Sequence, residues 1–215
     1  MSTAELDYIE LLENKNLSFE ELDTEMIMKL AKNKDSEIRT LIAEVLSQYS
    51  NDFCDDILLA MLDDNDEMVR CNACDSLGSS NNPECVYKLI EKFDDESELV
   101  RCYAILGATD ITLRTKELEK ELENKIRAHI KKEKGIVKIA GLSSLVLFGY
   151  STYLNRIFKY LSDPDYHIQI FTIKTLRDVS NKKNRDIIIK KLLKLKRSNT
   201  VKSVNAVIED VISDI

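Results

Sequence analysis

Cys71 and Cys74 form a Cys-x-x-Cys pair, the spacing that can hold a structural zinc ion or cycle between dithiol and disulfide. Either chemistry needs more than spacing. The Ala-flanked helical register around the pair offers neither the loop nor the second ligand pair of a zinc site. Cys54 and Cys85 are 31 residues apart, as are Cys71 and Cys102, so the cysteines are expected as small apolar packing residues at equivalent positions. The carboxylate pairs Asp63-Asp64 and Asp94-Asp95 recur at the same interval. With Asp55-Asp56 they are expected as turn and helix-end residues, not acid–base couples. His129 stands among lysines and is expected to be solvated, and His167 is expected as a surface or capping residue. Neither has a nucleophile or carboxylate arrangement beside it that the sequence justifies. No metal, cofactor or catalytic residue is therefore expected, and the chain reads as a non-enzyme.

What positions these residues is a repeat. The stretch Asp63–Gly78, an acidic turn followed by Val69-Arg70, Ala73 and Leu77, returns 31 residues earlier at Ile38-Arg39 and 31 later at Val100-Arg101. A 37-residue step then reaches Val137-Lys138, 31 more reaches Ile168-Gln169, and 33 more reaches Val201-Lys202. A period in this range means stacked supersecondary units. Each unit reads as a first helix, a polar turn, and a second helix starting near the Val-Arg pair. First helices are predicted near 19–33, 52–62, 83–93, 115–132, 151–161 and 182–196, and second helices near 36–48, 66–78, 97–108, 135–148, 164–178 and 199–213. The whole chain forms one domain on this reading, with repeats near 18–50, 51–81, 82–113, 114–149, 150–180 and 181–215. Residues 1–17 precede them as a capping helix with Leu6, Ile9, Leu11 and Leu12 as its apolar stripe. Ser18 and Glu21 read as a capping box, and Asn82-Pro83 and Asp163-Pro164 each as an N-cap followed by Pro at the first helical position.

Five Gly and two Pro leave little room for the turns of a β-sandwich or for a phosphate-cradling loop. No apolar run approaches the roughly 18 residues that span a bilayer, and the acidic N-terminal stretch is unlike a signal peptide. A cytoplasmic protein without a membrane partner is expected. Residues 1–110 carry 9 Lys/Arg against 26 Asp/Glu, whereas residues 111–215 carry 22 against 12. That asymmetry bears on partners, not on fold.

Numbered from the Arg position and turned at about 100° per residue, sites −1, +3 and +7 of each second helix share one face, which must be the packed one. They hold Ile38, Ile42 and Leu46; Val69, Ala73 and Leu77; Val100, Ala104 and Ala108; Val137, Gly141 and Leu145; Ile168, Thr172 and Leu176. Small residues at +3 are expected to let neighbouring helices approach. The sixth unit fits poorly, with Asn205 and Glu209 at these sites, so its register slips or it is a polar end cap. Sites +1 and +5 point away from the packed face. They hold Thr40 and Glu44, Cys71 and Asp75, Cys102 and Leu106, Ile139 and Ser143, and Ile170 and Lys174, a ridge running from acidic through apolar to mildly basic. Its apolar middle is either a partner-binding patch or a strip buried by curvature.

These residues resemble the HEAT repeats, in particular the short variety of phycobilisome-lyase-like proteins. In that family an Asp in the turn and an Arg six residues later build a ladder between adjacent units, and Asp64 with Arg70 and Asp95 with Arg101 have that spacing. Asn33, Lys132, Asp163 and Lys196 precede Arg39, Lys138, Gln169 and Lys202, so the ladder is expected to break after the third unit. The resemblance covers about residues 18–213. It implies an all-α, right-handed α-solenoid of about six HEAT-like hairpins plus the N-terminal capping helix, with second helices lining the concave side. A related HEAT-like family excises alkylated bases from DNA, but that chemistry needs a basic concave face with aromatics, and this chain has no Trp and an acidic first half.

The leading expectation is a protein-interaction module or scaffold that binds a polypeptide on its concave ridge. Nucleic-acid binding through the basic half is an alternative, with Lys182–Arg197 as its element. That stretch reads in the first place as an amphipathic helix with Ile188, Ile189, Leu192, Leu193 and Leu195 inside and solvated lysines outside. A further alternative is an acidic, immunity-type inhibitor of a basic toxin.

Overall fold

The computed structural model describes residues 2–14 and 17–215. These form thirteen α-helices and no strand, in two compact units, Met1–Leu118 and Glu119–Ile215. In the first unit α1 (Thr3–Asn14) precedes the hairpins α2 (Thr24–Leu30) with α3 (Ser36–Leu46), α4 (Asp52–Met61) with α5 (Glu67–Leu77), and α6 (Cys85–Glu91) with α7 (Glu98–Thr115). Helices α3, α5 and α7 pack side by side. In the second unit the hairpins are α8 (Glu119–His129) with α9 (Gly135–Leu147), α10 (Leu154–Ile157) with α11 (Tyr166–Asp178), and α12 (Arg185–Ser198) with α13 (Lys202–Asp214). Here α11 packs against both α9 and α13. The architecture is an all-α solenoid of stacked hairpins. No helix among the described residues is long and apolar enough to cross a membrane.

Each stack is held by the predicted face. Ile38, Ile42, Leu46, Val69, Ala73, Leu77, Val100, Ala104 and Ala108 are all buried, as are Val137, Leu145, Thr172 and Leu176. Each fully buried Leu or Ile contributes roughly 1.5–3 kcal/mol of transfer free energy. The first helices are less regular than expected. Ser18 and Glu21 do pair, with Ser18 N donating to Glu21 Oε2 at 2.8 Å, but they close only a 3-10 turn. Asp23 then caps the shortened α2 through Met26 N at 3.0 Å. The segment 151–161 becomes a four-residue α10 between two 3-10 turns. In α1, Leu12 is buried but Leu6 is exposed, while Glu5 is covered and ion-paired with Lys29 at 2.9 Å.

One motif explains the second-helix starts, and it corrects two expectations. In each of five turns an Asx side chain accepts from the backbone N two residues on: Asn33 from Asp35, Asp64 from Asp66, Asp95 from Ser97, Asp163 from Asp165, and Asn199 from Val201, at 2.8–3.0 Å. The carbonyl oxygen of that same Asx accepts from a side chain six residues on: Arg39, Arg70, Arg101, Gln169 and Asn205, at 2.7–3.0 Å. Asp163 is therefore an Asx-turn residue, and the N-cap of α11 is Asp165, bonded to His167 N at 2.8 Å. Asn82 likewise bonds Glu84 N at 3.0 Å, ahead of α6. The motif also shows where the sixth unit's register lies. Asn205, not Lys202, occupies the Arg position, a slip of three that places Val204 and Ile208 at −1 and +3, both buried.

The fourth unit departs most from its predicted form. Instead of one helix over 115–132, α7 runs on to Thr115 because Ile111 and Thr112 are still buried. The backbone beyond it is left-handed at Lys116 (φ 63) and Leu118 (φ 60). A side chain at a left-handed C-terminal position carries a Cβ penalty that glycine lacks. Lys116→Gly is expected to stabilise the chain by about 0.5–1 kcal/mol, part of the gain being offset by unfolded-state entropy. Urea titration checks this, and an unchanged or lower midpoint would count against it.

Candidate partner-binding site

The second helices meet at an ionic ladder. Arg39 Nε and Nη2 donate to the two Asp64 carboxylate oxygens at 2.7 Å each, and Arg70 repeats this on Asp95 at 3.0 Å. Each Arg thus binds the Asp of the next unit, 25 residues on, while its third nitrogen holds its own turn. Arg39 joins although Asn33 precedes it, because the preceding residue supplies only a carbonyl. Asp64 is held below the usual carboxylate range by Arg39, and Asp95 is also lowered: burial opposes this, but the hydrogen bonds from Arg70 and Ser97 N and the charges of Arg70 and Lys92 together outweigh it. Arg101 closes the ionic series on the carbonyls of Asp95 and Glu96. In the second unit the ladder resumes with neutral amides. Asn199 Nδ2 donates to Gln169 Oε1 at 2.7 Å, the position-for-position equivalent of the Arg–Asp rung. One neutral rung thus joins the fifth and sixth units, beyond the point where the sequence led the ladder to be expected to break.

These bonds fix the rotation of α3, α5, α7, α11 and α13, and with it their part of the ridge. Cys71, Cys102, Ile139 and Ser143 are buried; Thr40, Leu106 and Ile170 are half-buried; Glu44, Asp75 and Lys174 are exposed. The +1 column is thus largely inside, and what reaches solvent is mainly the +5 column. In the first unit that column is Glu44, Asp75 and Leu106 on α3, α5 and α7, with half-buried Tyr103 beside it. Burial and the neighbouring Glu44 charge raise the Asp75 pKa. Tyr103 was not foreseen, because at +2 it lies off the two columns read from the sequence.

The other chemistry-bearing residues are accounted for by packing. All five cysteines are buried thiols outside any disulfide, and burial pushes the Cys54 thiol up to about 11 and the Cys71 thiol to about 12, with Cys74, Cys85 and Cys102 also raised. Thiols held protonated are poor nucleophiles and poor metal ligands. Asp55 is buried and accepts from Ser80 Oγ at 2.6 Å. His129 is not solvated as expected: it is buried, with Nε2 3.3 Å from Glu133. His167 is exposed and lies against Tyr166. The charged helix α8 is also partly covered. Glu123 is buried, bound by Lys120 at 2.8 Å, Arg127 at 2.6 Å and Tyr150 at 2.9 Å, and these partners bring its pKa to about 2. Arg127 stacks over the rings of Tyr150 and Tyr153.

Residues 56–79 match the HEAT repeat family, the same segment that carries α5 and its ladder arginine. No curated protein matches the chain in sequence. Among solved structures, the complex of CpcE and CpcF of phycocyanin lyase from Nostoc sp. PCC7120 is similar at 14% identity and a TM-score of 0.50, over 94% of this chain and 97% of that one. The Escherichia coli protein YIBA is similar at 14% identity and a TM-score of 0.58, over 99% of this chain and 76% of that one. At such identity the likeness concerns the fold. With a HEAT repeat matched at 56–79 and stacked helical hairpins on either side, the chain is a helical-repeat solenoid bearing the HEAT signature over that segment.

Proposed function

We propose that the chain is a non-enzymatic protein-interaction module that takes a polypeptide along the +5 column of its second helices. The observation that carries this is the row of exposed Glu44 and Asp75 and half-buried Leu106, which stays accessible while Cys71 and Cys102 at +1 beside it are buried. Packed helices lie roughly 8–10 Å apart, so an extended segment rising about 3.3 Å per residue meets a new helix every third residue. The residues that would meet Glu44 and Asp75 are cationic. The Asp75 carboxylate feels desolvation by the surrounding groove and the like charge of Glu44, and a positive side chain offsets both. Buried thiols outside any disulfide fit a reducing, cytoplasmic setting.

Affinity capture with the wild type and with the Glu44→Lys, Asp75→Lys and Leu106→Glu triple variant tests the reading. The variant is expected to lose at least about tenfold in partner recovery while keeping its helical circular dichroism, since truncation or reversal at interface centres commonly costs more than 1 kcal/mol. Equal capture by both would overturn it. Capture should also weaken as pH falls through the raised Asp75 pKa, because the neutral acid no longer attracts a cation.

A further inference from the structure

Each unit also carries an exposed apolar surface away from this column, and the two differ in charge. On α12 only Ile188 and Leu192 are buried; Ile187 is 44% and Leu193 41% exposed, with Lys190, Lys194 and Arg197 on the same outer half. In the first unit a cleft of about 1090 Å³ opens beside α2 and α4. Its walls include Met28, 44% exposed, with Phe53, Ile57 and Ala60, and Asp56 and Asp63 stand exposed at its edge.

We propose that the chain binds a second copy of itself, with α12 of one copy seated in the α2–α4 cleft of the next. A ridge with apolar flanks and a lysine row fits an apolar groove with an acidic edge, the helix-in-groove mode of recognition. The charge of the units favours the same pairing over long range: Met1–Leu118 carries 11 Lys/Arg against 27 Asp/Glu, and Glu119–Ile215 carries 20 against 11. Lys32 and Lys34 on the cleft wall restrict the orientation, and Asp186, the one carboxylate of α12, supplies them with a counter-charge. Ile187 and Leu193 distinguish this occupant from nucleic acid, since they offer nothing to phosphate. Both surfaces are open within the chain, and joining two different patches makes a head-to-tail contact.

Sedimentation of the full chain at low and high salt tests the proposal. At low salt the apparent mass should rise with concentration above the 24.7 kDa of one chain, and association should weaken at least about tenfold at high salt, where the Debye length shrinks to a few ångströms. The Lys190→Glu/Lys194→Glu variant and the Met28→Lys/Asp56→Lys variant should each be monomeric alone. Mixed, they should form a one-to-one dimer and go no further, because each keeps one intact face. Surface changes of this kind leave folding largely untouched, and circular dichroism verifies it. A monomeric wild type at low salt, or association surviving in either variant, would overturn the proposal. So would a wild type that stays monomeric yet binds phosphatidylserine vesicles through α12, which would assign that face to lipid.

Discussion

Arg70→Met is expected to lower the stability of the first unit by about 3–5 kcal/mol, the cost of breaking a buried ion pair by removing one partner. The side chains of Arg70 and Asp95 are each 8% exposed, so methionine would leave the Asp95 carboxylate covered and without its counter-charge. It would also strip the Asp64 carbonyl of its donor at 2.8 Å. For a chain of this size the corresponding fall in Tm is roughly 6–20 °C. The matching change in the neutral ladder, Asn199→Ala, removes uncharged hydrogen bonds and should cost only about 1 kcal/mol. Acid separates the two further. Because Asp64 and Asp95 have lowered pKa values, their contribution is complete above the ordinary aspartate range and is lost as pH falls through the lowered values. Arg70→Met should flatten that acid dependence, and Arg70→Met/Asp95→Asn should recover part of the lost stability. Glu123 gives the second unit its own acid sensitivity, lost as pH falls from the ordinary glutamate range toward about 2. Thermal scans across pH decide the matter; a shift under about one degree for Arg70→Met would show the ladder to be ornamental.

The stacking was legible because it rests on a periodic apolar face, and periodicity survives in sequence. Ile42, Ala73 and Val137 could be assigned to the packed face from spacing alone, and they are buried. What spacing concealed was substitution of one hydrogen-bonding group by another. Gln169 and Asn199 do the work of Arg and Asp, but a search for charges passes over them, and the sixth unit then looks out of register. The ridge was legible only in part for a different reason. Rotation about a helix axis says which residues leave the packed face, not how far the neighbouring helices overhang them, so Cys71 and Cys102 proved buried and Glu44 and Asp75 exposed. Likewise the burial of His129 and Glu123 comes from contacts such as Tyr150 on Glu123, which are remote in sequence and leave no local signal.

Close approach within the stack is also set by residues that the pattern did not single out, and this gives the second large effect. Gly107→Ala is expected to destabilise the first unit by about 3 kcal/mol, the upper part of the usual overpacking range, despite the roughly 1 kcal/mol by which alanine favours a helix. A Cβ at Gly107 would overlap the Cys74 carbonyl oxygen of α5, and that atom is backbone, so α5 and α7 must separate. Neighbouring second helices therefore come into close contact at +6 here, in addition to the +3 site expected to let them approach. Gly141, which is at +3, instead faces its own hairpin. An alanine there would overlap Ile130 Cγ2 and sit 3.2 Å from Ile126 Cγ2, both side-chain atoms. The two sites should therefore differ in their response to a second change. Ile130→Leu moves the branch one carbon outward and should restore most of the stability lost in Gly141→Ala, whereas no side-chain substitution near Gly107 can move a carbonyl. Denaturant titration of the two single variants and of Gly141→Ala/Ile130→Leu measures this. A Gly107→Ala chain as stable as the wild type would mean that α5 and α7 are free to slide apart, and that the rungs between Arg70 and Asp95 do not fix their distance.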